Sequence, residues 1–293
     1  MNFMILLFFY LYLNQPKLPN LFMDNIALIV FTFSLTFFVV VTLLVAFFRF
    51  LEYYFGVVFG RPLFVHFCPF PKKISHNALH FLNTQFPFYV RLSNKKKVYF
   101  EHRTACFLNK YEFVSRENFV ITEEVKIHVA ATFIMLSFGM REYLCDVFDT
   151  IIIYPSIYFS RITKQYHKGE FNPNTKTVVF SWEDFQKGFD ISSDNLNLGI
   201  HEFAHVLHYH GSQSNDSGSV LFSRMYAIIN EEVNETVFRE QLVESNYFRV
   251  YAFTNQYEFL AVILENYFET PLEFKTRFPD LYKKVGLMLN MKY

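Results

Sequence analysis

The amino-acid sequence predicts an α+β fold that is mainly helical, contains one small sheet and is preceded by one transmembrane helix. Residues 25–48 form an apolar run without a charged residue. After residue 72, apolar residues recur at helical spacing between residues that start and stop helices. Two short runs rich in β-branched residues, Thr150–Tyr154 and Thr177–Ser181, interrupt this pattern and predict strands.

The apolar run determines the expected domain organisation. At about 1.5 Å per residue, a helix over residues 25–48 crosses a hydrocarbon layer roughly 30 Å thick. A second apolar run at Phe3–Leu13 is too short to span, and it remains open whether it is a signal-like segment, an interfacial helix or the artefact of an upstream start. The chain therefore divides into a short N-terminal segment, a transmembrane helix, a juxtamembrane linker and a C-terminal domain, at residues 1–24, 25–48, 49–71 and 72–293.

The linker and the charges around the span predict how the chain meets the membrane. Residues 49–71 are rich in aromatic side chains and contain glycines and prolines, such as Gly56, that break a long helix, so we expect this linker to lie against the bilayer surface. Basic residues are more frequent after the span than before it. This places the C-terminal domain of a single-pass protein in the cytoplasm. The cations are Lys17 before the span and Arg49, Arg61, Lys72 and Lys73 after it.

The composition excludes several classes of protein. The chain has 293 residues, 52% of them hydrophobic, which is enough for a membrane anchor and one soluble domain with a sizeable core. Its formal net charge is zero, so nucleic-acid binding through phosphate contacts is not expected. Cys68, Cys106 and Cys145 lie far apart and are odd in number, which argues against a disulfide framework; each is interpreted as a small buried residue.

The first half of the C-terminal domain is predicted to begin with helices and to continue into strands. Apolar spacing indicates helices around residues 74–84 and 94–111. Thr122 is followed by two glutamates, an apolar face and Gly139, which are the cap, the acidic first turn and the glycine stop of a third helix. The two β-branched runs are then expected to form a small antiparallel sheet.

The second half is predicted to be helical. A helix begins at Leu198 and is closed by Gly211, and the polar segment 211–219 is expected to be a loop near the cleft. Further helical segments are expected at 220–244, 246–252 and 256–268, the last opened by Asn255, and short helices at Pro271 and Pro279.

The helix that begins at Leu198 contains the H-E-x-x-H motif His201-Glu202-Phe203-Ala204-His205. Residues four apart lie on the same face of a helix, so both imidazoles can bind one tetrahedral Zn²⁺ while Glu202 holds the attacking water. This spacing predicts a hydrolase that acts on proteins.

A catalytic zinc site takes three protein ligands, so the two histidines require a third. The metzincin arrangement is excluded because it needs Gly and His where this chain has His208 and Gly211. A later helix offers the carboxylate of Glu258. However, Asn255 and Glu258 also fit a capping box, in which the carboxylate binds the backbone instead, and the residues alone leave both interpretations open.

Four segments together resemble the MtfA family, the Mlc titration factor A type of zinc metallopeptidase. They are VVFSWEDF, NLGIHEFAH, YAFTNQYEFLAVILENYFETPLEF and FPDLY, and the resemblance covers residues 72–293. It implies a gluzincin-like metallopeptidase domain, Zn²⁺ as the cofactor, and three metal ligands, which are His201, His205 and Glu258.

The resemblance also implies a reaction, the attack of water on a peptide carbonyl. In this reaction Glu202 is the catalytic base, which takes the proton of the water and passes it to the leaving amine. Tyr251 assists by donating a hydrogen bond to the oxyanion, a contribution of about 2.7–4 kcal/mol in comparable sites. Without the resemblance, Tyr251 would be interpreted as an ordinary aromatic core residue.

One position departs from the pattern of the family. The family has Asp shortly after the H-E-x-x-H motif, whereas this chain has His208, followed by Tyr209 and His210. His208 lies near the helical face of His201. It could support the metal ligands, compete with them for zinc or lie on the surface. The difference concerns the tuning of the site and its substrate preference more than the presence of zinc.

Two functions of different classes follow. The first is a membrane-anchored zinc metallopeptidase that cleaves a peptide or protein substrate, with aminopeptidase-like action as one form. The second is a regulatory protein that sequesters a partner such as a transcriptional repressor and whose metal site is structural or vestigial. Glu202 favours the enzyme because a structural site needs no base. An intramembrane protease is excluded because the motif lies in a segment too polar to be embedded.

Overall fold

The fold is α+β and mainly helical with a small sheet, as predicted. The computed structural model describes residues 20–59, 61–62, 64–160, 164–191 and 193–291. The apolar segment at residues 3–13 therefore lies outside the described residues. The chain divides into two compact units, Met1–Tyr54 and Phe55–Tyr293.

The N-terminal helix α1 extends from Asn20 to Phe59. Its residues Asn25–Phe59 are long and apolar enough to cross a membrane, and none of the most apolar window is buried. The helix also continues into the segment 49–71, where we expected an irregular linker. Gly56 does not end it, because one glycine costs a helix only about 1 kcal/mol relative to alanine and the surrounding Tyr, Phe and Val side chains continue its apolar surface.

The next helices agree with the prediction, apart from a single turn at Pro87–Val90 that was not predicted. They are α2 (His76–Gln85), α3 (Pro87–Val90), α4 (Asn94–Lys110) and α5 (Glu123–Leu136). The hydroxyl of Thr122 accepts a hydrogen bond from the backbone N–H of Val125, as expected of an N-cap. Helix α5 is almost entirely buried and forms the centre of the core.

The described residues form six strands in two sheets. These are β1 (Glu112–Ser115), β2 (Thr150–Tyr154), β3 (Tyr158–Ser160), β4 (Gln165–His167), β5 (Gly169–Asn172) and β6 (Thr177–Ser181). The four-stranded sheet has the order β1-β2-β6-β5, in which only the β5/β6 pair is antiparallel. Strands β3 and β4 form a separate antiparallel pair.

Strands β2 and β6 were predicted at their correct positions, but their expected antiparallel pairing is wrong. They are parallel, with Ile151 opposite Val178. Strand β6 is buried over most of its length, as is typical of a strand covered on two faces, whereas β2 is fully buried only at Ile151 and Ile153. The segment between them also forms β3, β4 and β5, which lets the chain return to the same end of the sheet.

The second half contains α6 (Trp182–Asp190), α7 (Leu198–Gln213), α8 (Ser217–Asn234), α9 (Thr236–Glu244), a 3₁₀ helix (Val250–Phe253), α10 (Gln256–Glu269), α11 (Pro271–Arg277) and α12 (Pro279–Met288). The helix predicted at 220–244 is thus two helices, and the segment 246–252 contributes only to the 3₁₀ turn. The helices predicted to begin after Asn255, at Pro271 and at Pro279 are confirmed.

Gly211 does not close α7, and most of the predicted loop 211–219 is helical. A Cβ on Gly211 would lie 2.8 Å from the Ser223 hydroxyl, so the glycine allows α7 and α8 to pack closely. The turn between the helices is short because Asp216 caps α8, its Oδ1 accepting hydrogen bonds from the N–H groups of Gly218 and Ser219.

Aromatic side chains hold the H-E-x-x-H helix in the core. Phe203, between the two motif histidines, is fully buried, and its ring centroid lies 5.0 Å from that of Phe133 in α5 and 5.3 Å from that of Phe180 in β6. Removing such a ring costs about 3–5 kcal/mol. The packing of α7 against α5 and the sheet therefore fixes the direction in which its polar face points.

Candidate metal centre

The motif histidines and Glu258 meet where α7 and α10 pack together. Nε2 of His201 lies 3.0 Å from Oε2 of Glu258, and Nε2 of His205 lies 3.7 Å from Oε1. Only one half of the capping box considered for Asn255 and Glu258 is formed. Oδ1 of Asn255 accepts hydrogen bonds from the N–H groups of Tyr257 and Glu258, but the Glu258 carboxylate points to the histidines.

These three side chains could hold a metal ion. One ligand atom from each of His201, His205 and Glu258 lies within 4.8 Å of the others, and no other such group occurs in the part of the chain that the structure describes. Oε2 of Glu258 is buried and, despite its closeness to His201, has no aligned hydrogen bond. A buried carboxylate oxygen is costly unless a donor or a cation satisfies it. Two imidazoles and this oxygen therefore fit a metal.

Glu265 orients the first histidine. Its carboxylate is 1% exposed, and Oε1 accepts a hydrogen bond from Nδ1 of His201 at 2.7 Å. Arg249 holds that carboxylate through both of its terminal nitrogens. With the proton on Nδ1, Nε2 of His201 is free to face Glu258 and a metal.

Sequence reasoning missed Glu265 and Arg249. A signal for Glu265 existed, because it lies seven residues after Glu258 and so on the same face of α10, within an otherwise apolar stretch. Arg249 lies between two helices and had no such periodic signal.

The charges of the site are strongly coupled. Burial alone would lower the pKa of His201, but the carboxylates of Glu258 and Glu265 outweigh it and raise that pKa to about 10. Burial and the neighbouring His201 charge lower the pKa of His205 to about 4. Burial would raise the pKa of Glu258, yet the close, positively charged imidazole of His201 brings it below its ordinary value. In the absence of metal, a proton on His201 thus balances the carboxylates.

Glu202 lies beside this cluster, buried against strand β5. Burial raises its pKa to about 7, against the opposing charge of His201 and with a further contribution from Glu258. A Cβ on Gly169 would lie 2.7 Å from both Cγ and Oε1 of Glu202, so only glycine allows this approach. A carboxyl group with a pKa near neutrality can both accept and donate a proton.

Tyr251 belongs to the 3₁₀ helix and lines the same cleft, which has a volume of about 360 Å³. Its ring centroid lies 6.1 Å from that of His201. Partial burial and the Glu258 charge raise the pKa of Tyr251 to about 12, so the phenol keeps its proton and remains a donor. The structure thus brings all five predicted site residues together.

His208 lies outside the cluster. Its ring packs between those of Tyr226 and Tyr257, each at a centroid distance of 4.8 Å, and burial lowers its pKa. His210 is partly buried, and its Nε2 has no hydrogen-bond partner among the described residues. Neither histidine belongs to the group of side chains that could hold the ion.

The chain is similar to one family of metallopeptidases and to several known proteins. The sequence profile of the family described as Glucose-regulated metallo-peptidase M90 matches residues 70–288. The Uncharacterized protein slr2042 of Synechocystis sp. is 26% identical over 219 residues, which cover 69% of this chain and 79% of that protein. Mlc titration factor A of Yersinia pestis (strain Pestoides F) is 24% identical over 192 residues, which cover 60% of this chain and 70% of that protein. The profile covers well over half of the chain, which therefore belongs to the M90 metallo-peptidase family, the family of Mlc titration factor A.

Proposed function

We propose that this protein is a membrane-anchored zinc metallopeptidase that hydrolyses peptide bonds. The observation that carries the proposal is the placement of Glu202. It is buried, has a pKa raised to about 7 and lies next to a His-His-Glu group that could hold a metal ion. A site that only stabilised the fold or bound a partner would not need a costly buried carboxyl group at this position.

The residues of the cleft have distinct roles in this proposal. His201, His205 and Glu258 hold Zn²⁺, the ion preferred by two imidazoles and a carboxylate in hydrolases. When bound, the ion supplies an activated water and polarises the carbonyl of the substrate. Glu202 takes the proton of the attacking water and delivers it to the leaving amine. Tyr251 donates a hydrogen bond to the developing oxyanion.

Strand β5 provides a place for the peptide backbone. It is the edge of the four-stranded sheet, and its residue Gly169 adjoins Glu202. An extended peptide can add to an exposed edge through main-chain hydrogen bonds. Such a peptide would run past Glu202 within the cleft, so we propose peptides or proteins as substrates, with aminopeptidase-like cleavage included.

The test uses the purified full chain loaded with zinc. Peptides with free and with acetylated N-termini are incubated with the wild type and with Glu202→Gln, with Glu244→Gln at an exposed position as the control. We expect zinc near one per chain in all three proteins and cleavage in all but Glu202→Gln. Preference for free N-termini would indicate aminopeptidase-like action. Undiminished cleavage by Glu202→Gln would contradict the assignment of the base.

Membrane anchoring belongs to the same proposal. Helix α1 contains 35 residues, Asn25–Phe59, that are long and apolar enough to span a bilayer. The excess of basic residues after the span supports a cytoplasmic position for the C-terminal domain. In cells, the chain should resist extraction with alkaline carbonate. Protease added outside intact cells should leave its C-terminus undigested, whereas protease added to broken cells should digest it. A chain found entirely in the soluble fraction would refute the anchor.

A second candidate is regulatory. The relative named Mlc titration factor A indicates by its name a protein that titrates Mlc, so a protein partner is the alternative proposal for this chain. Binding of a partner does not require the base. If Glu202→Gln bound the partner with unchanged affinity while the wild-type chain cleaved no peptide, the regulatory function would be favoured.

A further inference from the structure

The charge of the chain is unevenly distributed. The whole sequence is neutral, with 27 basic and 27 acidic residues. Between residues 53 and 100, however, there are seven Lys and Arg residues and no Asp or Glu. This basic stretch begins in the last turns of helix α1 and extends into the first turns of α4. A zero net charge therefore conceals a strongly basic region directly after the proposed membrane anchor.

Residues 64–73 of this region form a strap that is fixed to helix α4. The ring of His66 stacks on Tyr99 at a centroid distance of 4.8 Å. Arg103, which is 3% exposed, donates from Nη2 to the carbonyl of Val65 at 2.9 Å and from Nη1 to that of Phe138 in the core. The hydrogen bonds of the buried guanidinium therefore fix the strap to the domain as part of its folded surface.

The strap presents aromatic side chains to solvent. Phe67 is 79% exposed and Phe70 is 87% exposed, whereas most phenylalanines after residue 72 are buried. Pro69 and Pro71 lie on either side of Phe70 and restrict its backbone. Neighbouring exposed aromatic rings on a rigid segment are typical of a surface that enters a membrane interface or binds a partner.

The adjoining end of α4 carries three consecutive cations, Lys95, Lys96 and Lys97. The first turn of this helix has no acidic residue, and Ser93 makes no capping hydrogen bond through its side chain. Cations are unfavourable at a helix N-terminus because the helix dipole is positive there. The cluster therefore opposes the stability of its own helix, and an external anionic surface would relieve this repulsion.

Lys96 of this cluster lies beside the strap, whereas Lys97 faces Asn83 and Tyr89. Lys96 and Arg61 line a cavity of about 480 Å³ together with Phe64 of the strap. The ring of Phe64 lies 6.4 Å from that of Phe67 and is also covered by the guanidinium of Arg141 at 4.3 Å. Basic and aromatic groups are thus neighbours here, a combination suited to the headgroup region of a bilayer.

We propose that the strap and the first turn of α4 form a docking surface for an anionic phospholipid bilayer. The inference rests on the membrane anchoring proposed above. Phe59 ends α1 five residues before Phe64, so an extended chain places the strap within about 18 Å of the end of the anchor. The exposed Lys95 and Lys96 bind lipid headgroups, and Phe67 and Phe70 enter the interface. The peptidase domain is then held in one orientation at the membrane.

The experiment uses the full chain in nanodiscs of phosphatidylcholine, with or without phosphatidylglycerol. Amide hydrogen exchange is measured over residues 64–73 and 94–98. We expect at least about tenfold slower exchange in the discs that contain phosphatidylglycerol, because each lysine near an anionic surface contributes to the attraction. The difference should disappear at high salt, which screens the lysine charges.

Two sets of variants test the groups separately. K95E/K96E/K97E should abolish the lipid-dependent protection, whereas K126E/K275E/K283E, with the same change in net charge on other surfaces, should retain it. F67S/F70S should also lose protection, whereas V120S/L272S, which alters two exposed apolar residues elsewhere, should not.

The outcomes distinguish this inference from the proposals on which it depends. A chain that does not enter nanodiscs would overturn both the anchor and the docking surface. If the chain enters them and the strap exchanges equally fast in both lipids, the docking surface is wrong and the anchor stands. The wild-type comparison between lipids decides this even if a variant fails to fold. Peptide cleavage is measured in parallel and is independent of either result.

Discussion

Replacement of Glu202 with Gln should stabilise the metal-free protein while abolishing peptide cleavage. Glu202 is buried, and burial raises its pKa from 4.5 to about 7. Above pH 7 the Glu202 carboxylate is ionised in the interior of the folded protein. The amide of Gln has the same shape and carries no charge. The proposed catalytic base is therefore expected to lower the stability of the fold that holds it.

The magnitude and its pH dependence follow from the pKa shift. At about 1.4 kcal/mol per pKa unit, the rise from 4.5 to about 7 corresponds to about 3 kcal/mol. Below pH 4.5 the group is protonated in both the folded and the unfolded chain, so the charge costs nothing. The free energy of unfolding then decreases as the pH rises from 4.5 to 7, because the unfolded chain releases its proton first. Glu202→Gln should remove this decrease.

The assay is thermal unfolding of the metal-free full chain in nanodiscs, followed by the fluorescence of Trp182. This is the only tryptophan, and it stacks on Phe185 in the domain core. At pH 8 the variant should melt about 6–12 °C above the wild type, and at pH 4 the two should coincide. A difference that does not change with pH, or a variant less stable at pH 8, would refute the reasoning.

The remaining predictions concern the groups around the proposed metal site. Glu265→Gln should weaken zinc binding about 10–100-fold, measured by competition with a chelator, because the carboxylate orients His201; unchanged affinity would remove this role. Gly169→Ala should lower kcat at least about tenfold with zinc content retained, because its Cβ would displace Glu202. The control is Gly56→Ala, whose Cβ meets nothing within 4 Å. Equal activities of the two variants would show that the contact with Glu202 is harmless. Zinc uptake at pH 7.5 should release a proton from His201, whose pKa is about 10 without metal. Calorimetry in buffers of different ionisation enthalpy measures this release. Uptake without proton release would contradict that pKa.

The parts of the site that could be predicted are those with local geometry. His201 and His205 are four residues apart on one helix, so their common face follows from helical periodicity alone. Glu258 could be proposed as a third ligand, but a capping role for it was equally compatible with its position after Asn255. Only the packing of α7 against α10, together with the family resemblance, favours the metal site.

The residues that sequence reasoning missed depend on tertiary contacts. Arg249 lies just before the 3₁₀ helix and pairs with Glu265 of α10. No local pattern in the sequence indicates such a pair. Strand β5 is short and polar, and Gly169 is required there by the Glu202 side chain of a different element. In the same way, Gly211 could be mistaken for a helix stop because its contact with Ser223 of α8 cannot be seen in the sequence.

The central claim is that one metal ion is held jointly by the histidines of α7 and a carboxylate of α10. The most direct test is the zinc content of the full chain after chelation and reconstitution, measured for the wild type, Glu258→Ala and His208→Ala. The account predicts one zinc per chain in the wild type and in His208→Ala, and zinc well below one per chain in Glu258→Ala. Full zinc content in Glu258→Ala together with loss of zinc in His208→Ala would contradict it.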